Sequence, residues 1–167
     1  MRSSLLTPVA AGVLLALAGT AQGATKTTTF QVSATVSKNC VMSAAAMNLG
    51  TFDGTNDLTA SSNITVNCTA GTPFTVDLDK GSAPSYVTRT LKSGADTLNY
   101  NLYTTNTYTN IWGDTTGGTA RGSGTGAGMT AAQAQTLTVF GRLRAVDNTQ
   151  SFGAGTYTDT ITATITY

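Results

Sequence analysis

The chain has 167 residues, a length that suits one domain. Charged residues make up 10% of it, the formal net charge is +1, and there is no histidine and no glutamate. This composition excludes histidine metal sites, histidine-centred catalytic triads and glutamate acids or bases. It also contains no basic block that would bind nucleic acid. Threonine is unusually common, with 35 residues, and threonine favours β-strands.

The first 23 residues have the pattern of a secretory signal peptide. Arg2 precedes a run of about ten apolar or small residues at 9–18, and small residues stand at Ala21 and Gly23, just before Ala24. A run of ten is too short to span a bilayer, which needs about 20 residues. We therefore predict export, with cleavage after Gly23 and, as the alternative, after Ala21.

Alternation of apolar and polar residues then continues along the chain. Such a period of two is typical of β-strands that bury one face. Turn residues (Gly, Asn and Asp) separate the runs. The predicted strands lie at residues 30–37, 47–52, 64–68, 74–79, 97–102, 108–112, 137–142 and 157–167.

The two cysteines, Cys40 and Cys68, both lie in the exported part. An isolated pair in an oxidising compartment is most simply one disulfide. A metal-binding pair and a reactive thiol are the alternatives, although two sulfurs without histidine make a poor metal site. In the chain-entropy view, closing this loop stabilises the fold by roughly 3 to 4 kcal/mol.

Strands with one apolar face and one threonine face predict a sandwich of two antiparallel sheets with its core between them. No amphipathic helix of useful length is present, although residues 131–134 could form one helical turn. Residues 115–128 are rich in Gly and Thr, and we predict a flexible loop there.

Few residues are candidates for chemistry. Asp77 and Asp79 share one strand face and could bind a cation or act on a glycosidic bond, but a solvated strand face explains them better. Residues 122–126 resemble a phosphate loop but lack its lysine and its helix. We predict no cofactor and no metal.

Three other side chains have both a binding and a structural interpretation. Arg142 and Arg144 could meet a carboxylate or a sugar, but a subunit contact or a sheet edge suits them better. Trp112 could stack on a carbohydrate, but packing is commoner for such a residue. No nucleophile is paired with a base, so the sequence predicts that the protein is not an enzyme.

Short motifs along nearly the whole exported chain resemble the spore coat protein U domain family, which supplies subunits of archaic chaperone–usher pili. Their joint order carries the resemblance. They are the alternating segment up to Cys40, Asn48-Leu49-Gly50-Thr51-Phe52, Ile64-Thr65-Val66-Asn67-Cys68, Phe74-Thr75-Val76, Leu98-Asn99-Tyr100-Asn101-Leu102-Tyr103, Trp112-Gly113-Asp114, Val139-Phe140-Gly141-Arg142 and Gly155-Thr156-Tyr157-Thr158-Asp159-Thr160.

The resemblance implies an all-β fold: an incomplete immunoglobulin-like antiparallel β-sandwich that is completed by a donor strand from another subunit. It implies a structural pilus subunit that supports adhesion or biofilm formation. The implied partners are other copies or sibling pilins, a periplasmic chaperone and an outer-membrane usher, and the implied location is the cell surface. The alternative is a spore or cell coat protein built from the same domain.

The resemblance also assigns roles to particular segments. Residues 24–37 would be the donor strand, inserting Phe30, Val32, Ala34 and Val36, and residues 38–167 would form the sandwich. The alternative is that the segment is simply the first strand of its own domain. The groove strand, which would pair with the chaperone, would present Ile161, Ala163, Ile165 and Tyr167.

Overall fold

The computed structural model of the protein describes residues 22–167. Residues 1–21 of the predicted signal peptide therefore lie outside the described residues. Among the described residues, none of the helical turns has the length and apolar composition of a membrane-spanning helix. Eight strands form within this range: β1 (Cys40–Ala44), β2 (Leu58–Cys68), β3 (Pro73–Leu78), β4 (Arg89–Ser93), β5 (Asp96–Tyr103), β6 (Gly122–Thr125), β7 (Gln135–Leu143) and β8 (Ala163–Thr166).

The strands form two antiparallel sheets. One has five strands in the order β1-β2-β7-β5-β4, and the other has three in the order β6-β3-β8. The longest pairing joins β2 to β7, from Leu58 opposite Leu143 to Val66 opposite Gln135. The helical elements among residues 22–167 are three-residue 3-10 turns at Thr116–Gly118, Ala131–Gln133 and Ala145–Asp147. The predicted all-β sandwich is confirmed.

The core lies between the sheets and is built by the alternation seen in the sequence. From Ile64 to the end of β2, and from Phe74 to the end of β3, every second side chain is buried, and the residues between them are partly exposed. This arrangement is expected because successive side chains of a strand point to opposite faces. The buried cluster consists of Ile64, Val66, Cys68, Phe74, Val76, Leu78, Leu98, Tyr100, Leu102, Trp112, Val139 and Leu143.

The predicted disulfide between Cys40 and Cys68 is confirmed. The two residues lie directly opposite each other, at the first position of β1 and the last position of β2. Cys68 is fully buried in the core. The bridge therefore joins an edge strand to an interior strand at the point where the folded domain begins.

Four of the predicted strands were wrong in whole or in part, and the first of these, at residues 30–37, forms no strand. Residues 47–52 form no strand, because Gly50 adopts a φ of 96° and its amide donates to Asn48 Oδ1 in a tight turn. Residues 108–112 form only isolated bridges after Tyr108, whose φ is 54°. Of residues 157–167, only Ala163–Thr166 is a regular strand.

Three strands were missed, and the first of them is β1, which lies between the predicted strands at 30–37 and 47–52. The tract at 115–128, predicted as a loop, contains β6, and β4 was not predicted. In β6 the glycines serve close packing rather than turning: a Cβ at Gly122 would collide with the Trp112 ring, and one at Gly124 would lie 2.6 Å from Cζ of Phe74. Absent side chains thus let an edge strand cover two large aromatic rings.

The N-terminal segment, residues 22–39, forms no strand and no helix, and its side chains are exposed. Phe30 is 86% exposed and Val32 is 82% exposed, and farther along the chain Val36 is 80% exposed. Ala34 between them is exposed as well. An alternating apolar stripe that remains in solvent is unusual for a folded protein, because burying such side chains is strongly favourable.

Candidate functional site

An apolar groove runs along one side of the sandwich, within residues 36–167. One wall is the end of β1 and the irregular chain that follows it, and the other is the chain that leads into β8. A narrow chamber of about 350 Å³ continues into a wide chamber of about 820 Å³, and Met47, Leu49 and Leu91 line both. The narrow chamber is also lined by small or apolar side chains at Ala44, Ala45, Ala46, Ile64, Leu78, Leu102, Val139, Ile161 and Ala163.

The strand β8 and the two residues before it direct their apolar side chains toward the core, as the alternation predicts. Ile161, Ala163 and Ile165 are half-buried against the core, while the threonines between them are exposed. Ile161 and Ala163 line the narrow chamber, whereas Ile165 packs against the core. Tyr167 is 51% exposed. The predicted stripe therefore exists, and its role in binding a strand remains a prediction.

The backbone of this wall has an open edge. Among the described strands β8 pairs only with β3, so one side of β8 has no strand neighbour. Thr162 directs both of its main-chain groups toward Asp79: its amide donates to Asp79 Oδ1, and its carbonyl accepts from the Asp79 amide, each at 2.9 Å. Because these groups alternate along a strand, those of Ile161 and Ala163 face the open side.

Two aspartates hold the chain where it enters β8. Asp79 Oδ1 accepts from the amides of Gly81 and Thr162. Asp159 Oδ1 accepts from the Ser82 amide at 3.0 Å, and Tyr100 donates its hydroxyl to Asp159 Oδ2 at 2.8 Å. Burial, followed by the hydrogen bond to Asp159, raises the pKa of Tyr100. The phenol therefore stays protonated and remains a donor to the carboxylate.

A buried arginine lies behind this anchor, and no pattern in the sequence predicted its burial. Arg89, the first residue of β4, is fully buried. Its guanidinium donates to the carbonyls of Asp79 and Trp112 and to Asn101 Oδ1, at 2.6 to 3.0 Å. Burial lowers its pKa. Asn101 in turn donates to the carbonyls of residues 86 and 87, so one polar network joins β4, β5 and the loops around them.

The other candidates for chemistry have structural partners. Asp77 forms an ion pair with Arg121 at 2.9 Å. Trp112 is buried, and its indole nitrogen donates to the Val76 carbonyl at 2.8 Å, so packing explains it.

The two arginines near the end of β7 are also paired. Arg142 contacts Asp57 at 2.7 Å, and its guanidinium stacks over the Tyr108 ring at 5.1 Å from the ring centre. Arg144 meets Asp147 at 3.4 Å. Within residues 22–167 no group of three metal-ligating side chains comes together.

The fold and the groove define an incomplete antiparallel β-sandwich, with a core left accessible along an unpaired strand edge. The chain belongs to the Spore Coat Protein U domain family, whose pattern matches residues 26–164. This membership confirms the family predicted from the motifs. No curated protein matches the chain.

Among solved structures, the chain is similar to one in the CsuC–CsuE chaperone–tip adhesion subunit pre-assembly complex, from archaic chaperone-usher Csu pili of Acinetobacter baumannii. The two chains are 27% identical with a TM-score of 0.55. The match covers 80% of this chain and 40% of the other, so this chain spans less than half the length of that structural relative.

Proposed function

We propose that this protein is a structural subunit of a surface pilus of the archaic chaperone–usher type, and that it polymerises by donating a strand to another copy or to a sibling pilin. The observation that carries the proposal is a complementary pair within one chain. The domain has an open apolar groove with an unpaired strand edge, and the N-terminal segment has an exposed apolar stripe.

The N-terminal segment suits the groove in length, pattern and charge. Thirteen extended residues, 25–37, reach roughly 43 Å, enough to run along a sandwich sheet. Phe30, Val32, Ala34 and Val36 fall on one side, and there is no charge between Lys26 and Lys38. The segment also contains no Gly or Pro that would interrupt main-chain pairing. Each large apolar side chain that enters the groove contributes about 1.5 to 3 kcal/mol.

A groove of this kind is costly to leave in water, because unpaired edges and apolar surface favour aggregation. We therefore propose that a periplasmic chaperone covers the groove during export and that an outer-membrane usher exchanges it for the next subunit. The similar structure is a complex between a chaperone and a tip adhesion subunit of chaperone-usher pili, and this supports the chaperone as partner. The same relationship supports a structural rather than an enzymatic role.

Two neighbouring substitutions in the N-terminal segment test the proposal. In cells that express the chain with its chaperone and usher, Val32→Asp should abolish filaments while the subunit still accumulates on its chaperone. An unpaired buried charge costs several kcal/mol, so the aspartate cannot enter the groove. Ser33→Asp is the matched control, because in an extended strand the side chain of residue 33 points away from the groove when that of Val32 points into it.

Negative-stain microscopy of the filaments and co-purification with the chaperone are the measurements. Equal polymerisation of both variants would contradict the donor role. Loss of the chaperone complex in Val32→Asp would instead show that the segment belongs to its own domain.

A further inference from the structure

The disulfide occupies the point at which the N-terminal segment enters the folded domain. Cys40 is the first residue of β1, and residues 22–39 before it are exposed and belong to no strand. Thr69, which follows β2, adds hydrogen bonds to the backbone of Asn39 and Ser37. These hydrogen bonds carry part of any force applied along the N-terminal segment. The first residue through which such a force acts on the sheet itself is Cys40.

The two strands joined by the bridge differ in how firmly the sheet holds them. β1 is an edge strand that pairs with β2 along five residue pairs, from Cys40–Cys68 to Ala44–Ile64. β2 lies between β1 and β7, and its pairing with β7 covers nine residue pairs. Its last residue, Cys68, is fully buried. Load that reaches β2 is therefore shared with the interior of the domain.

We propose that the Cys40–Cys68 disulfide is a mechanical clamp that transfers tension in the N-terminal segment from β1 to β2, and so keeps the groove intact under load. This inference rests on the proposed function, since the segment carries tension only when another subunit holds it. β1 ends at Ala44, and residues 44–46 form part of the narrow chamber wall. If β1 slid away from β2, this wall would leave the groove and the strand bound there would be released.

The clamp can be tested by the length of chain that tension pulls out of the domain. Without the bridge, the chain from residue 40 to residue 57, just before β2, can be drawn out of the domain. These 18 residues extend by up to about 60 Å. With the bridge intact, residues 40–68 form a closed covalent loop, and this length is not released.

The experiment pulls single filaments of the full chain and records force against length. The first variant is Cys40→Ala with Cys68→Ala. The matched control adds Asn63→Cys and Thr138→Cys to it, at positions that lie directly opposite each other on β2 and β7, with their side chains 3.1 Å apart. This relocated bridge closes a longer loop, so it should restore stability of the same order in the chain-entropy view. It leaves β1 unclamped.

Both variants should lengthen at lower force than the wild type, in steps of up to about 60 Å per subunit, although the relocated bridge recovers the melting temperature. Recovery of the wild-type force by the relocated bridge would overturn the clamp, because general stabilisation would then explain the effect. Equal forces in all three filaments would overturn it too. If the cysteine-free variant does not assemble, wild-type filaments reduced after assembly replace it. A wild-type chain that forms no filaments would overturn the proposed function, and the clamp with it.

Discussion

Tyr100 and Asp159 form a hydrogen bond between the two sheets beside the groove. Tyr100 lies on β5 in the five-stranded sheet, and Asp159 lies on the chain that leads into β8 of the other sheet. The Tyr100 hydroxyl donates to Asp159 Oδ2 at 2.8 Å, and both residues line the narrow chamber. This bond therefore ties the chain that leads into β8 to the five-stranded sheet at the groove.

Removal of this hydrogen bond should lower the stability of the domain at the groove without creating a cavity in the core. Tyr100→Phe keeps the ring and removes the donor to a carboxylate, which should cost about 1.5 to 3 kcal/mol. The Asp159 carboxylate retains the Ser82 amide, so the cost stays moderate. The melting temperature of assembled filaments measures the loss. Tyr103→Phe, on the same strand, is the control and should leave that temperature unchanged; an equal fall in both variants would contradict the role of the bond.

The apolar stripe of β8 should be far less tolerant of charge than its outer face. Ile165→Asp places an unpaired charge against the core beside the groove, at a cost of several kcal/mol. We expect loss of the chaperone complex and degradation in the periplasm. Ile161→Asp should act in the same way, because Ile161 lines the narrow chamber.

Thr166→Asp is the matched control for Ile165→Asp, since Thr166 is exposed and lies opposite the uncharged Thr75. Immunoblots of periplasmic extracts and chaperone co-purification report the outcome. A normal yield of complex from Ile165→Asp would show that this strand does not form the chaperone site.

Arg89 should be intolerant even of lysine. Its planar guanidinium reaches acceptors on three separate segments at once, and an ammonium group cannot reproduce that fork. Acceptors left unpaired in the interior cost about 1 to 3 kcal/mol each, so Arg89→Lys should destabilise the domain by about 3 kcal/mol or more.

Arg121→Lys is the control for Arg89→Lys, because the ion pair of Arg121 with Asp77 is partly exposed. Such pairs contribute at most about 1 kcal/mol. Denaturant unfolding of filaments carrying either substitution gives the comparison, and similar stabilities would rule out a structural role for the buried network.

Stability should be flat between pH 8 and pH 5 and should fall in acid. The chain has no histidine, so no side chain with an ordinary pKa in that window titrates. Hydrogen bonds from Thr55, first through its amide, lower the pKa of Asp53, and the Ala145 amide followed by Arg142 lowers that of Asp57. A carboxyl with a lowered folded pKa stabilises the fold above its unfolded pKa of about 3.9, and this stabilisation is lost as the pH falls through the folded value.

Melting temperatures recorded from pH 8 to pH 2 would follow this loss. Asp57→Asn should flatten part of the acid limb, because its side chain no longer titrates. A transition between pH 5 and pH 8 would contradict the assignment, since the groups named here change charge only in acid.

Local pattern was sufficient to predict much of this protein from its residues. Alternation located β2, β3, β5 and β7, because the period of two is a property of each strand alone. The composition predicted the pairing of Cys40 with Cys68, since these are the only two cysteines in a chain that the sequence predicts to be exported. The order of the short motifs predicted the family. The apolar stripe on β8 was likewise evident from the sequence.

Tertiary packing decided the rest. Gly122 and Gly124 lie in a tract whose composition is typical of a loop, yet they belong to strand β6. The rings of Trp112 and Phe74 fill the space that side chains at these two positions would need. Arg89 has the character of a surface residue, yet it is buried because acceptors from distant segments converge on it. The groove depends on which sheet edges remain unpaired after all the strands have found partners. These outcomes follow from contacts between residues far apart in the chain, and no local pattern encodes them.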